Sequence, residues 1–316
     1  MSSDGSDASG EETPIDGQQE DEWQNIDDVV QDRRAEYIIK LGDEEWQYEA
    51  PIDLNISKMT RIELNPLMWY NHDIVPKKMK ITNTGYTVIL SAKWQRERPY
   101  LIDGPFTGKY VFSQLHFHWG KNEMVGSEHY LDGCCMPMEL HAVHFKADYL
   151  SQEAASREKD GLAILVYLFR LLPSPNPTLV SLVDGLSRIQ EAGTSTRLST
   201  SEALVNWTRP FAGDYFLYWG ALNHGGEKQR VLWLVSREPI GIAQEQVARF
   251  RTLYDVNNQP LLQNCHKLQD RCGRSLFHVN PSGKCSYSLL PVPREPPPLT
   301  ANQIVDMIEN FQVPDL

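Results

Sequence analysis

LHFHWG, residues 115–120, sets two histidines one residue apart among aromatic rings, and MELHAVHF, residues 138–145, sets two more behind a glutamate. Both stretches are rich in β-branched and aromatic residues and are bounded by turn formers, so both read as strands. On a strand, side chains at i and i+2 share a face. Gln114, His116 and His118 therefore stand together, with Leu115 and Phe117 opposite them. Glu139, His141 and Val143 form the matching row, with Leu140, Ala142 and His144 on the other side. Antiparallel pairing of the two strands brings three imidazoles to one face. Three neutral nitrogens with a fourth position open is the layout of a catalytic zinc site. A ligating ring also needs its outer nitrogen tied to an acceptor, and Gln114 and Glu139 each stand two residues before a histidine. The competing reading makes His116 and His118 ordinary core rings, but it leaves the second strand and both acceptors unexplained.

Outward from this pair, further short alternating segments suggest a β-rich domain. They are KKMKITNTGYTVILSAKW (77–94), FLYWGAL (216–222) and QRVLWLVSREPIGI (229–242). DGLAILVYLFRLL (160–172) is a continuous apolar run, as expected of a central strand covered on both faces. APIDLNI (50–56) reads as extended, and the ordered chain is expected to begin within 34–50. Helical spacing shows at SLVDGLSRIQEAG (181–193) and AQEQVARFRTLY (243–254). PVPREPPPL (291–299) reads as a stiff polyproline-type linker. TANQIVDMIENFQ (300–312) after it has an apolar stripe of Ile304, Met307, Ile308 and Phe311.

The chain has 316 residues, 41% of them apolar, and a net charge of −12. Residues 1–30 hold ten carboxylates and neither Lys nor Arg, so the acidity belongs to a tail too poor in apolar surface to offset its ordering entropy. Residues 1–33 are therefore expected to be a disordered acidic tail, followed by a domain over 34–290 and a linker with a short helix over 291–316. No basic stripe marks a nucleic-acid surface, and no apolar run is long enough to span a bilayer. The start carries no secretory pattern. Five cysteines, two of them adjacent (Cys134, Cys135), suit reduced thiols and a cytoplasmic location. Cys265, Cys272 and Cys285 lack the spacing of a second zinc site.

Taken together, the segments resemble the α-class carbonic anhydrases. LHFHWG, GSEH (126–129) and MELHAVHF are similar to that family's FHFHWG, GSEH and AELHLVH. API-D (50–53), ITNTGYTV (81–88), DGLAILVYLF (160–169), YWGALNHGG (218–226) and VLWLVSREPIGIAQEQVARFR (231–251) extend the likeness in order. The resemblance implies one mainly β (α+β) domain: a large twisted, mostly antiparallel central sheet with peripheral short helices and zinc in a conical cleft. It implies His116, His118 and His141 as ligands of Zn2+, with Gln114 and Glu139 holding their outer nitrogens. Glu128 would accept a hydrogen bond from the residue that orients the attacking hydroxide. Val143, Ile164, Leu222, Val231 and Trp233 would line the apolar pocket for carbon dioxide. The implied activity is the reversible hydration of carbon dioxide to bicarbonate and a proton.

Three departures from the family's pattern bear on rate. Leu222-Asn223-His224-Gly225-Gly226 stands where the family has Leu-Thr-Thr-Pro-Pro. An amide can in principle accept on one side and donate to Glu128 on the other, yet it divides between two atoms what one hydroxyl does. Tyr86 replaces the proton-shuttling histidine of fast members, and a phenol of pKa about 10 passes protons poorly at neutral pH. His224 is a candidate substitute. The family's Trp/Tyr-bearing opening segment is not recognisable, and Glu49 replaces a Gln. The expected enzyme is therefore slow. The alternative is an impaired carbonic anhydrase-related binding or scaffold protein, with the acidic tail or the terminal helix as its contact for a protein partner.

Overall fold

The computed structural model describes residues 34–199, 203–211, 213–224 and 226–280, with the side chain of His224 outside the description. The expectations for the tail 1–33, the linker 291–299 and the helix 300–312 lie outside the described residues. In chain order the first strands are β1 (Asp53–Leu54), β2 (Thr60–Ile62), β3 (Met68–Tyr70), β4 (Lys78–Asn83) and β5 (Val88–Lys93). Next come β6 (Tyr100–Ile102), β7 (Tyr110–Trp119), β8 (Tyr130–Leu131), β9 (Met138–Lys146) and β10 (Leu162–Leu172). The last are β11 (Ser195–Leu198), β12 (Tyr215–His224), β13 (Glu227–Ser236), β14 (Ile240–Ala243) and β15 (Phe277–Val279).

One large sheet runs β11-β4-β5-β7-β9-β10-β13-β12-β15-β2, with β6, β3 and β14 attached beside it. Its ladders are antiparallel except β10–β13, β10–β14 and β15–β2. The apolar run at 162–169 is buried on both faces because β10 lies mid-sheet between β9 and β13. Alternation then sorts the side chains. Leu115, Phe117, Leu140, Ala142, Leu165 and Leu232 enter the core on one face. Val143, Ile164, Val166, Val231, Trp233 and Tyr218 pack on the other.

A one-residue slip of β7 on β9 would push histidines into the first core and expel its Leu and Phe. Each expelled side chain forfeits about 1.5–3 kcal/mol of burial, so the register is firmly specified. Ahead of the histidines, the β7–β9 register shifts between Phe112 and Gln114. This bulge at Ser113 reverses the alternation, which puts Phe112 in the first core although its position is even, like those of the histidines.

The helices are short: α1 over residues 34–45, α2 (Gln152–Ala155), α3 (Val180–Leu186) and α4 (Gln244–Phe250). The periodicity at 181–193 thus yields only two turns of helix before the chain bends. The helix α1 occupies the stretch within which the ordered chain is expected to begin, where the sequence reading assigns no element. Its Gly42 lies flat on the Trp219 ring, where an added Cβ would come within 2.6 Å of the indole. Trp219 Nε1 donates to Ile38 O at 2.7 Å, which pins the helix to β12. No described helix is long and apolar enough to cross a membrane.

Candidate metal centre

Antiparallel β7 and β9 place His116 directly opposite His141 and His118 opposite Glu139. The three rings of His116, His118 and His141 have centroids 4.6–5.2 Å apart. One nitrogen from each ring lies within 4.8 Å of those of the other two. The outer nitrogens decide the protonation pattern. His116 Nδ1 faces Gln114 Oε1 at 3.3 Å, and His141 Nε2 faces Glu139 Oε1 at 2.5 Å. His118 Nδ1 faces Asn264 O at 3.3 Å and Glu128 Oε1 at 3.1 Å. All of these are acceptors, so each ring carries its proton on the outer side and turns a bare lone pair inward. His116 Nε2 and His141 Nδ1 then face each other at 3.1 Å with no proton between them. His118 Nε2 is buried without a hydrogen-bond partner among the described residues. Two lone pairs in contact and an orphaned third make an arrangement that a cation among them stabilises, and three imidazoles suit zinc.

The charges around the triad favour neutral rings. Burial, reinforced by His141 and His118, holds the His116 imidazole well below its ordinary pKa. Burial likewise holds His118 down at about 4. Both are therefore neutral at pH 7, as a ligand must be. Burial opposes charge on Glu139, but His129 and the hydrogen bonds from His129 and His141 keep its carboxyl well below the usual range. His129 donates from both its amide (2.8 Å to Oε2) and its Nδ1 (2.7 Å to Oε1), while its Nε2 meets the Tyr218 hydroxyl at 2.6 Å. A chain Tyr218–His129–Glu139–His141 thus runs from β12 to the triad through buried groups.

Val143, Ile164 and Trp233 fall in one row across β9, β10 and β13. Val231 packs beside them and Leu222 is half-buried against the same cluster. The Trp233 ring stands 5.2 Å from that of His141. An apolar wall therefore adjoins the triad.

The structure does not bring Asn223 to Glu128. The β12–β13 hairpin stays paired through Asn223↔Lys228 and His224↔Glu227, leaving Asn223 exposed. Two prolines would break such a ladder, since proline has no amide to donate. Here Gly226 takes φ 88°, which glycine adopts without strain, and the ladder continues almost to the turn. Glu128 Oε1 accepts instead from the His266 amide at 3.0 Å and from His266 Nδ1 at 2.5 Å. Tyr86 is exposed at the tip between β4 and β5, and its carbonyl accepts from Asn264 Nδ2 at 3.1 Å. The side chain of His224 lies outside the described residues.

Sequence reasoning missed Asn264 and His266, which lie 146 residues from His118 and 138 from Glu128, respectively. No local spacing announces such partners. It placed His144 on the side of β9 opposite the ligand row, and His144 is not in the triad.

The sequence matches the family model described as eukaryotic-type carbonic anhydrase over residues 42–280. Among curated proteins the chain is similar to "Carbonic anhydrase 1" of Monodelphis domestica, 32% identical over 219 residues, covering 69% of this chain and 80% of that protein. It is also similar to "Carbonic anhydrase 7" of Homo sapiens, 37% identical over 179 residues, covering 55% of this chain and 66% of that protein.

Proposed function

Because this chain belongs to the eukaryotic-type carbonic anhydrase family, we propose that it catalyses the reversible hydration of carbon dioxide to bicarbonate and a proton, with Zn2+ held by His116, His118 and His141. The observation that carries the reading is the set of three inward ring nitrogens, two of them facing each other at 3.1 Å, with an acceptor behind every ring. When bound, zinc lowers the pKa of a water to about 7 and so supplies a nucleophile at neutral pH. The protein's own part is orientation and exclusion of water. Gln114, Glu139 and the Asn264 carbonyl fix tautomer and tilt of the rings. Val143, Ile164, Val231, Trp233 and Leu222 offer an uncharged substrate an apolar surface beside His141 without supplying a competing ligand.

The rate we propose is low. The pattern's orienting position falls on Asn223, which is exposed and without a hydrogen bond to Glu128 among the described residues. Tyr86 occupies the shuttle position, and His224 is the candidate that would share proton export with it. That exposed Asn223 also favours the second reading, a zinc-loaded binding or scaffold protein with impaired turnover. We further propose a cytoplasmic location, supported by the unpaired thiols of Cys134, Cys135, Cys265 and Cys272. A stopped-flow hydration assay on protein of measured zinc content separates the readings. Slow turnover that scales with zinc supports the enzyme, and full zinc occupancy with background rates supports the binding protein.

A further inference from the structure

We propose that His266 is a positioning residue of the metal centre, locking the Glu128 carboxylate against the His118 ring so that a second ligand, like His141, is backed by a buried anion. The proposal rests on reading the triad as a zinc centre. Glu128 is only 3% exposed, and its Oε1 takes two donors from one residue, the His266 amide at 3.0 Å and Nδ1 at 2.5 Å. The same Oε1 lies 3.1 Å from His118 Nδ1, closer than the Asn264 carbonyl at 3.3 Å. Glu139 stands behind His141 more closely, in a hydrogen bond of 2.5 Å, whereas Glu128 makes a short charge contact with His118 Nδ1, whose hydrogen bond goes to Asn264 O. A carboxylate behind an imidazole fixes its tautomer and raises the basicity of the inner nitrogen.

The segment that carries His266 is itself held on both sides of the site. Asn264 accepts from the Trp119 amide at 2.8 Å and donates to Phe117 O at 2.8 Å, which ties it to the ligand strand β7. Cys265 donates through Sγ to Gly126 O at 2.9 Å, two residues before Glu128. His266 is therefore delivered to the carboxylate by a fixed backbone, and the hairpin residue Asn223 leaves that carboxylate free for it. The His266 side chain is 65% exposed, so removing it opens no cavity in the core.

The test measures zinc release into excess chelator from His266→Ala, His266→Asn, Glu128→Gln and the Ala/Gln double variant. Loss of an outer partner of a metal ligand weakens binding about 10–100-fold. Release from His266→Ala is expected near the lower end, about tenfold faster, because the amide of residue 266 still donates. His266→Asn, whose side-chain N–H stands where Nδ1–H stood, restores slow release. The double variant releases zinc no faster than Glu128→Gln, because the effect passes through that carboxylate. The visible spectrum of the cobalt-substituted protein shifts in the Ala variant and returns in the Asn variant. Wild-type release rates in His266→Ala, failure of Asn to rescue, or additive effects in the double variant would each overturn the proposal. Hydration assayed on the same samples keeps the two claims apart: a wild type that binds zinc without turnover leaves this inference standing and sinks the enzyme reading.

Discussion

On the β7–β9 wall of the centre every ring nitrogen that turns away from the triad meets an acceptor, and Glu139 and Glu128 behind the rings are buried. On the β12–β13 wall Asn223 is exposed, paired along a ladder, and without a hydrogen bond to Glu128 among the described residues. The two walls come from the same sheet and the same kind of alternation. They differ in what lies behind the functional row. Behind β7 and β9 are partners drawn from residues 128, 129 and 264–266, each satisfied by further hydrogen bonds. The contacts recorded for the hairpin run instead to the 43–50 segment, with Lys228 reaching Gln47 O and Glu49 and Arg230 reaching Asp43, and among the described residues none ties Asn223 to Glu128. Metal holding and substrate turnover are thus supported by separate parts of the fold, and sequence change can weaken the second while leaving the first intact.

The largest effect belongs to the first wall. His141→Ala removes one ligand and the centre of its row, and elemental analysis is expected to find zinc falling from one per chain to near none. Retained stoichiometric zinc would break the comparison at its base. Glu139→Gln comes next, because that carboxylate receives His141 Nε2 and both His129 donors. Zinc affinity is expected to fall about 10–100-fold, measured by competition with a chelator, while an unchanged affinity would mean that the ring needs no anion behind it.

The other face of β9 supplies a contrast in stability. His144 is buried with Nε2 unpartnered among the described residues, and burial, helped by His72, holds it at about 3. The unfolded chain takes up this proton below about 6.5 while the folded chain refuses it, so stability rises with pH across that range. Acidification from pH 7 to 5 therefore destabilises the zinc-free protein. In His144→Phe the slope is expected to be shallower by about 1.4 kcal/mol per pH unit below 6.5, read from urea midpoints. An unaltered slope would show that His144 is already charged or hydrated in the fold.

The smallest effect belongs to the second wall. An oriented contact at a transition state is worth at most about 2.7–4 kcal/mol. Asn223→Thr alone should recover less than tenfold in kcat/KM, because the paired hairpin as well as the side chain keeps residue 223 outside. A larger gain would mean that the hairpin bends inward during turnover, and the contrast between the walls would soften.

How far the sequence could be read follows the same division. The ligand rows were legible because a period of two holds on β7 from Gln114 onward and along β9, and β10 was legible because its buried stretch 162–169, covered on both faces, is apolar throughout. The helix α1 escaped notice because its buried face is made of Ala35, Ile38 and Gly42, and a glycine in mid-helix argues against helix until Trp219 supplies the reason. His266 and Asn264 were illegible for a plainer reason: a hydrogen bond across about 140 residues leaves no local pattern. The exposure of Asn223 was illegible as well, because it follows from a ladder that pairs residue 223 with Lys228 across the strands.

The central claim is that the inward nitrogens of His116, His118 and His141 hold zinc. Anomalous diffraction at the zinc edge from crystals of the full chain tests it most directly. The account predicts a single strong peak about 2.0–2.1 Å from His116 Nε2, His118 Nε2 and His141 Nδ1. A folded, zinc-supplied protein with no peak among the three rings, or with its peak on Glu128 and His266 instead, would contradict it.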